Sequence, residues 1–318
     1  LKRVGPRGSG EFEEISWDEA LQLASEWLSE VRAKDPRKLA FFTGRDQSQA
    51  LTGWWSSQFG TPNFAAHGGF CSVNMAAAGL YTFGGSFWEF GEPDWDRTEY
   101  FMLWGVAEDH SSNPIKKALG KLKERGAKVV AINPVRTGYG AIADEWLGVR
   151  PGADGLFASA LIHELMKAGR IDIEYLLRYT NVHWMVIQNP GGANDGLILR
   201  DKDSKPLAYD QKSKSFKDAA NIKIRPALHG EFKSPAGDKV VPVMAMITER
   251  FLDQKYSPES VADEVGLPAE TIKRIAAEIA ESAFEKEITI KQEWTDWAGR
   301  KHKTITGRPV SMHAMRGI

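Results

Sequence analysis

Apolar residues recur at helical spacing from Ala20 through Leu21, Leu23, Ala24, Trp27 and Leu28 to Val31, directly after Ser16 and Glu19, which stand three apart as a capping box requires. The pattern predicts a first helix running to about Arg32. A short apolar run from Leu39 to Thr43 then ends at Gly44 and Arg45, and a helical stretch through Leu51 to Phe59 completes a β-α unit. A second unit is sharper. Tyr100 to Trp104 reads as a buried strand, Gly105 opens a loop, and Asn113-Pro114 supplies an N-cap and a first-turn proline for a helix reaching Arg125-Gly126. Lys128 to Ile132 predicts the next strand and Trp146 to Val149 another, before Pro151-Gly152-Ala153-Asp154 leads into an amphipathic helix ending near Gly169. Strands alternating with helices over short connections predict an α/β fold, with parallel sheets flanked by helices on both faces.

From about Val182 to Val241 that rhythm stops. This stretch is rich in Gly, Asn, Asp and Lys with only short apolar runs, and predicts an irregular segment with room for a hairpin. Helices return at Val243 to Phe251, Pro258 to Val265 and Ala269 to Glu281.

Composition narrows the class. The chain has 318 residues, 42% of them hydrophobic and 26% charged, enough for one large core or two ordinary ones. Its 41 basic and 42 acidic side chains leave a net charge of -1, so no whole-molecule field attracts nucleic acid or an anionic membrane. No apolar run approaches the roughly 20 residues of a membrane span, so direct membrane insertion is not expected. The first ten residues lack a signal-peptide segment, but the chain opens on Leu1 and stops in mid-pattern at Met315-Arg316-Gly317-Ile318. Both natural ends are therefore expected to lie beyond it. The single cysteine, Cys71, excludes an internal disulfide and any all-cysteine zinc or iron-sulfur site made by this chain alone. By default such a thiol is a small buried hydrophobe, yet it remains available as a ligand.

Ligands of an open parallel sheet sit at the carboxyl ends of its strands. Three strand ends carry polar, glycine-containing or proline-containing loops: Gly105-Val106-Ala107-Glu108-Asp109, Asn133-Pro134-Val135-Arg136-Thr137, and Pro151-Gly152-Ala153-Asp154. Helix N-termini favour phosphate and Arg136 can pair with it, while Asp154 or Glu108 can accept from a base amide or ribose hydroxyl. None of these loops, nor Phe42-Thr43-Gly44-Arg45-Asp46-Gln47-Ser48 in the first unit, is a dinucleotide or Walker fingerprint. That weighs against a nicotinamide-dependent dehydrogenase, the competing enzyme class.

The order Ile15-Ser16-Trp17-Asp18-Glu19-Ala20-Leu21, Cys71, the Gly105 loop, Asn133-Pro134-Val135-Arg136-Thr137 with Ala143-Asp144, and Pro151-Gly152-Ala153-Asp154 resembles the molybdopterin oxidoreductases of the dimethyl sulfoxide reductase family. The resemblance extends from about residue 1 to 180 and resumes from about 288. It implies a fragment of a multidomain fold: residues 1–70 begin a discontinuous α/β domain, 71–287 form an inserted dinucleotide-binding domain containing the irregular 182–241 segment, and 288–318 return to the first domain. It also implies molybdenum, or tungsten, held by two molybdopterin guanine dinucleotides, with Cys71 in Gly68-Gly69-Phe70-Cys71-Ser72-Val73-Asn74 as the protein ligand. A thiolate is a soft donor suited to a metal already bound by sulfur. Gly105, Glu108, Asn113, Asn133, Pro134, Arg136, Gly152 and Asp154 match positions that contact one guanine dinucleotide. Gly44 and Arg45 fall where the other approaches. Arg316 and Gly317 resemble the start of a pterin-side loop whose arginine, in formate dehydrogenases, faces the substrate, which implies that role for Arg316.

Further implications follow from the same resemblance. The family often has Asp-Pro-Arg-Arg-Thr where this chain has Asn133 and Val135, so one acidic and one basic group are missing. Ser72 stands where formate dehydrogenases place histidine, which demotes formate. His67 through Asn74 and Phe87 through Trp95 are most similar to the branch of polysulfide and thiosulfate reductases and quinone-linked sulfite dehydrogenases. That branch implies a small anionic sulfur substrate, with electrons passed first to an iron-sulfur partner and then to a quinone-reactive partner in the membrane. A 4Fe-4S cluster is expected in the full-length subunit but not in this stretch, which lacks the cysteines. The expected location is cytoplasmic, at the inner face of the membrane through partners, with the periplasm as alternative.

Bland readings stand beside these. His67 and His110 are more readily loop or surface histidines than proton shuttles, and the tryptophans at 54, 55, 88, 95 and 104 more readily core than pocket lining. A non-catalytic nucleotide-binding or nucleic-acid-binding module is the other class. Its best support is the helix pair around Gly266-Leu267-Pro268, but Lys273 and Arg274 there face Glu270, Glu278 and Glu281, a poor phosphate surface.

Overall fold

The computed structural model describes residues 1–44, 48–71, 73–85, 92–106, 115–136, 138–296 and 299–314. They fall into two compact units, Leu1–Gly91 and a larger one starting at Glu92.

In the first unit β1 (Lys2–Arg3) and β2 (Phe12–Glu13) form a short antiparallel ribbon. The capping box does what its spacing promises: the Ser16 hydroxyl accepts from the Glu19 N–H at 3.2 Å, and α1 (Trp17–Lys34) follows. Next come β3 (Phe41–Thr43), α2 (Gln49–Phe59), β4 (Phe64–Ala66), α3 (His67–Cys71) and α4 (Val73–Phe83). Strands β3 and β4 pair in parallel with Thr43 opposite Ala66, so the chain leaves both at one edge. Phe41, Trp55, Phe59 and Phe64 pack beside that pair, with Phe41 5.5 Å from Trp55 and 6.0 Å from Phe64. Three-residue β4 is too short to show alternation, and Gly68-Gly69 interrupts the helical period, so neither β4 nor α3 was legible in the pattern.

The second unit begins with β5 (Tyr100–Trp104), α5 (Ile115–Glu124), β6 (Lys128–Ile132), α6 (Gly138–Ile142), β7 (Glu145–Leu147) and α7 (Asp154–Lys167), close to the predicted bounds. Helix α8 (Ile173–Tyr179) leads into β8 (Met185–Gln188), β9 (Leu207–Asp210), β10 (Ser215–Asp218), β11 (Phe232–Lys233) and β12 (Lys239–Pro242). The 182–241 segment is thus more ordered than predicted. It holds a β9–β10 hairpin and a three-stranded antiparallel sheet ordered β11-β12-β8, around a small core of Met185, Ile187, Leu199 and Val240. Helices α9 (Val243–Phe251), α10 (Pro258–Val265) and α11 (Ala269–Phe284) follow. The described chain closes with β13 (Ile288–Ile290), β14 (Trp294–Thr295), β15 (Lys301–His302), β16 (Ile305–Gly307) and β17 (Val310–Ala314).

The main sheet is fully parallel in the order β17-β5-β6-β7. Central β5 has no polar face. Tyr100, Met102 and Trp104 join the core beneath α7, α10 and α11, while Phe101 and Leu103 join one formed with Ile115, Leu119 and Leu122 of α5 and Tyr139 of α6. The chain runs outward from β5 to β7, then returns over the other face to place β17 on the far side of β5. That reversal is a topological switch point.

The compact units do not follow the expected domain bounds. The first unit extends to Gly91 rather than ending at 70, because α3 and α4 continue directly from β4 and remain with it. Residues 288–314 do not return to the first unit: β17 pairs residue for residue with β5, Val310 opposite Tyr100 and Ala314 opposite Trp104.

At the amino ends of the strands, charges tie α11 to the sheet. Lys128 Nζ lies 3.2 Å from Glu145 and 2.5 Å from Glu278, and Arg274 pairs with both glutamates. The Tyr100 hydroxyl donates to Glu278 at 3.0 Å. Burial pushes the Glu145 and Glu278 carboxyls up, but their hydrogen bonds from Lys128 and Arg274 outweigh it and hold both below the usual glutamate range.

Glu278→Ala removes the acceptor shared by two cations and a phenol, and its expected cost is about 1–3 kcal/mol in denaturant unfolding. Since both glutamates stay ionised below their unfolded pKa of roughly 4.3, the unfolded chain binds more protons there. Wild-type stability from this cluster is therefore expected to be complete above about pH 5 and to fall as pH drops through 4. Repeating the denaturation series from pH 6 to pH 3 should show the gap between wild type and Glu278→Ala closing.

Candidate functional site

Parallel strands in register deliver their following loops to one edge, and in the second unit that edge holds Gly105, Asn133, Pro134, Arg136, Gly152 and Asp154 of the predicted ligand positions. Gly105 leaves β5 at φ +67, a conformation suited to glycine, and its N–H donates to the Ile132 carbonyl at 2.8 Å. Asn133 leaves β6 nearly buried. Its N–H donates to the Leu147 carbonyl at 3.1 Å, its Oδ1 accepts from the Val135 N–H at 3.2 Å, and its own carbonyl accepts from Trp146 Nε1 at 2.9 Å. The side-chain oxygen is therefore committed to the turn. Pro134 and Arg136 are exposed beyond it, and the Arg136 guanidinium has no ion-pair or hydrogen-bond partner among the described residues.

The third loop turns sharply. The Ala153 N–H donates to the Arg150 carbonyl at 3.1 Å across Pro151 and Gly152, with Gly152 at φ +84, as in a type II turn. A Cβ on Gly152 would meet nothing within 4 Å, so the turn leaves open space. It delivers Asp154 as the first residue of α7, where Oδ1 accepts from Trp104 Nε1 at 2.7 Å. The Trp104 ring packs at 5.4 Å against Phe157, one turn further along the helix.

In the first unit, Gly44 directly follows β3, while α3 starts on the residue after β4 and ends at Cys71. Arg45, Glu108, Asn113, Arg316 and Gly317 lie outside the described residues, as do Ser72, Trp88, His110 and Thr137. His67 is the half-buried first residue of α3.

The tryptophans divide. Trp55 and Trp95 are packing residues, Trp95 lying 5.2 Å from Phe101, whereas Trp54 is 61% exposed. Trp104 is the residue whose role sequence reasoning missed. The available signal was an indole ending a buried strand, which must find a partner for its N–H.

The residues present fit half of a dinucleotide. An anchored carboxylate suits a base with adjacent donors, a guanidinium with no partner among the described residues suits a pyrophosphate, and the open turn at Gly152 lets a ligand approach backbone. A helix-turn-helix use of α10 and α11 fits poorly, because Val261, Val265, Ile272 and Ile275 are buried in the sheet core and Lys273 and Arg274 are held by glutamates.

These features make up an α/β unit whose strand-end edge carries groups of the kind that hold a nucleotide. The molybdopterin oxidoreductase family model matches residues 1–276, and the chain belongs to that family. It is 45% identical to a sulfite dehydrogenase subunit of Allochromatium vinosum over 100% of this chain and 34% of the relative. It is 29% identical to the thiosulfate reductase molybdopterin-containing subunit of Salmonella typhimurium over 57% of this chain and 24% of the relative. Among solved structures, acetylene hydratase from Pelobacter acetylenicus aligns with TM-score 0.47 and 20% identity, covering 88% of this chain and 30% of that one. The chain thus spans about a third or less of these relatives.

Gly152→Ala tests the turn. With space for the methyl but a backbone that disfavours it, the expected loss is roughly 1–2 kcal/mol in denaturant unfolding, without gross change in circular dichroism.

Proposed function

We propose that this chain is part of the catalytic subunit of a molybdenum enzyme that oxidises sulfite to sulfate. The observation that carries the reading is 45% identity across the whole chain to a sulfite dehydrogenase subunit, with Cys71 available as a soft anionic donor. The overall change converts sulfite and water to sulfate, two protons and two electrons. When bound, a molybdopterin-held molybdenum supplies the two-electron redox step, and the protein's part is to orient and tune it.

Each residue has a task in this scheme. Cys71 provides a sulfur ligand from the end of α3. At the second unit's edge, Asp154 accepts from a guanine base, Arg136 neutralises phosphate, and Gly105 and Gly152 allow close approach of backbone to the guanine dinucleotide. Arg316 is the cation assigned to the sulfur oxyanion, and Gly44 and Arg45 are assigned to the second dinucleotide. Electrons leave through iron-sulfur carriers, including a 4Fe-4S cluster of the same subunit, to a membrane partner that reduces quinone. The assembly sits at the inner face of the membrane. A thiosulfate reductase is the second reading, favoured by the Salmonella relative but over only 57% of the chain.

Cys71→Ala in the complete subunit is expected to lower both molybdenum content and sulfite oxidation by more than the roughly 10–100-fold typical of losing an outer-sphere partner. Metal analysis and assay with an artificial electron acceptor measure this. Unchanged values for both would remove Cys71 from the metal. Faster turnover of thiosulfate than of sulfite by the unaltered subunit would favour the second reading.

A further inference from the structure

The Trp104–Asp154 pair does something that neither residue does alone. Asp154 is half-buried at the edge where three parallel strands end, and a carboxylate carried on two rotatable bonds would ordinarily swing. Here Oδ1 is held at 2.7 Å by Trp104 Nε1. The indole itself cannot follow a swinging carboxylate: it is 6% exposed, ends central strand β5, and packs against fully buried Phe157 of the same helix that carries Asp154. Strand and helix therefore hold one carboxylate oxygen in place between them, which restricts how the carboxylate can turn.

The choice of donor matters as much as its position. Arginine or lysine there would pair with the carboxylate and consume its charge, as Lys273 does with Glu259 and Arg274 with Glu145 elsewhere in this unit. An indole N–H is neutral and donates once. It leaves Oδ2 without a partner among the described residues and the full negative charge available to a ligand.

We infer that Trp104 is a positioning and specificity residue, aligning Asp154 to read the paired donors of a guanine base. This rests on the guanine-dinucleotide reading above. Guanine presents N1–H and a 2-amino group side by side, and a carboxylate accepts both only when lying near the base plane. Hypoxanthine lacks the amino group, and adenine offers an acceptor where guanine has N1–H. A fixed carboxylate thus converts a general attraction for donors into discrimination among purines, because mismatched bases leave an oriented charge unpaired.

The test titrates the 318-residue chain calorimetrically with guanosine, inosine and adenosine 5′-diphosphates. The wild type is expected to prefer the guanosine compound. Trp104→Phe keeps an aromatic ring at the Phe157 contact but removes the N–H together with the five-membered ring that carries it, so guanosine diphosphate affinity is expected to fall about tenfold, the scale of one oriented hydrogen bond, with adenosine diphosphate unchanged. Equal weakening of all three nucleotides would mean a merely structural role and overturn the inference. So would guanosine preference surviving in Trp104→Phe but lost in Asp154→Asn, a result that leaves the guanine reading intact. No guanosine preference in the wild type would overturn both. If Trp104→Phe does not fold, the assigned Trp104 indole nitrogen-15 resonance of the wild type decides. Movement with guanosine but not adenosine diphosphate supports the pair's role, and no movement with either overturns it.

Discussion

The second unit depends on the burial of β5 on both faces. Five consecutive side chains, Tyr100 to Trp104, leave no side of this strand that tolerates water. Helices must cover both faces, and antiparallel hairpins open to solvent on one side do not meet that demand. Parallel neighbours joined by helical crossovers do, and they bring the loops after β5, β6 and β7 to one edge. The candidate ligand residues are together because the strands are parallel, and the strands are parallel because the central one is apolar throughout.

The two ends of that sheet use charge in opposite ways. At the amino ends, Lys128 and Arg274 are saturated by Glu145 and Glu278, a closed arrangement that joins α11 to the strands. At the carboxyl ends, among the described residues, Arg136 makes no pairing and Asp154 receives one neutral donor. Saturated charges hold structure, whereas unsaturated ones at a strand-end edge are positioned for a ligand. This asymmetry separates scaffold from candidate site within one sheet of a chain that belongs to the molybdopterin oxidoreductase family.

The first unit is organised differently. Helix α1 carries Trp17, Leu21 and Trp27 along one stripe, yet none of its 18 residues is buried, and Trp17 is 83% exposed. Local terms support it, namely the Ser16 cap, acidic Asp18 and Glu19 in the first turn and Arg32 and Lys34 in the last, together with two polar contacts to other segments, Lys2 Nζ to Glu19 at 3.3 Å and Arg32 to the Gln58 carbonyl at 3.0 Å. Amphipathic spacing announced the helix correctly, but it says nothing about what covers the stripe.

Much of this was decided by the sequence alone. The bounds of β5, β6, α9, α10 and the start of α1 follow from apolar period, proline and caps, because those signals act within a few residues. Order and spacing of weak motifs, with Cys71 and the three strand-end loops, were enough to recognise the family. Tertiary structure alone decided the rest. Pairing of β17 with β5 joins residues more than two hundred positions apart, and the β8–β12 sheets depend on partners that no local pattern reveals. The Trp104–Asp154 bond belongs to the same class, since an indole's donor and a carboxylate's acceptor show no preference for one another along the chain until a strand and a helix bring them within reach.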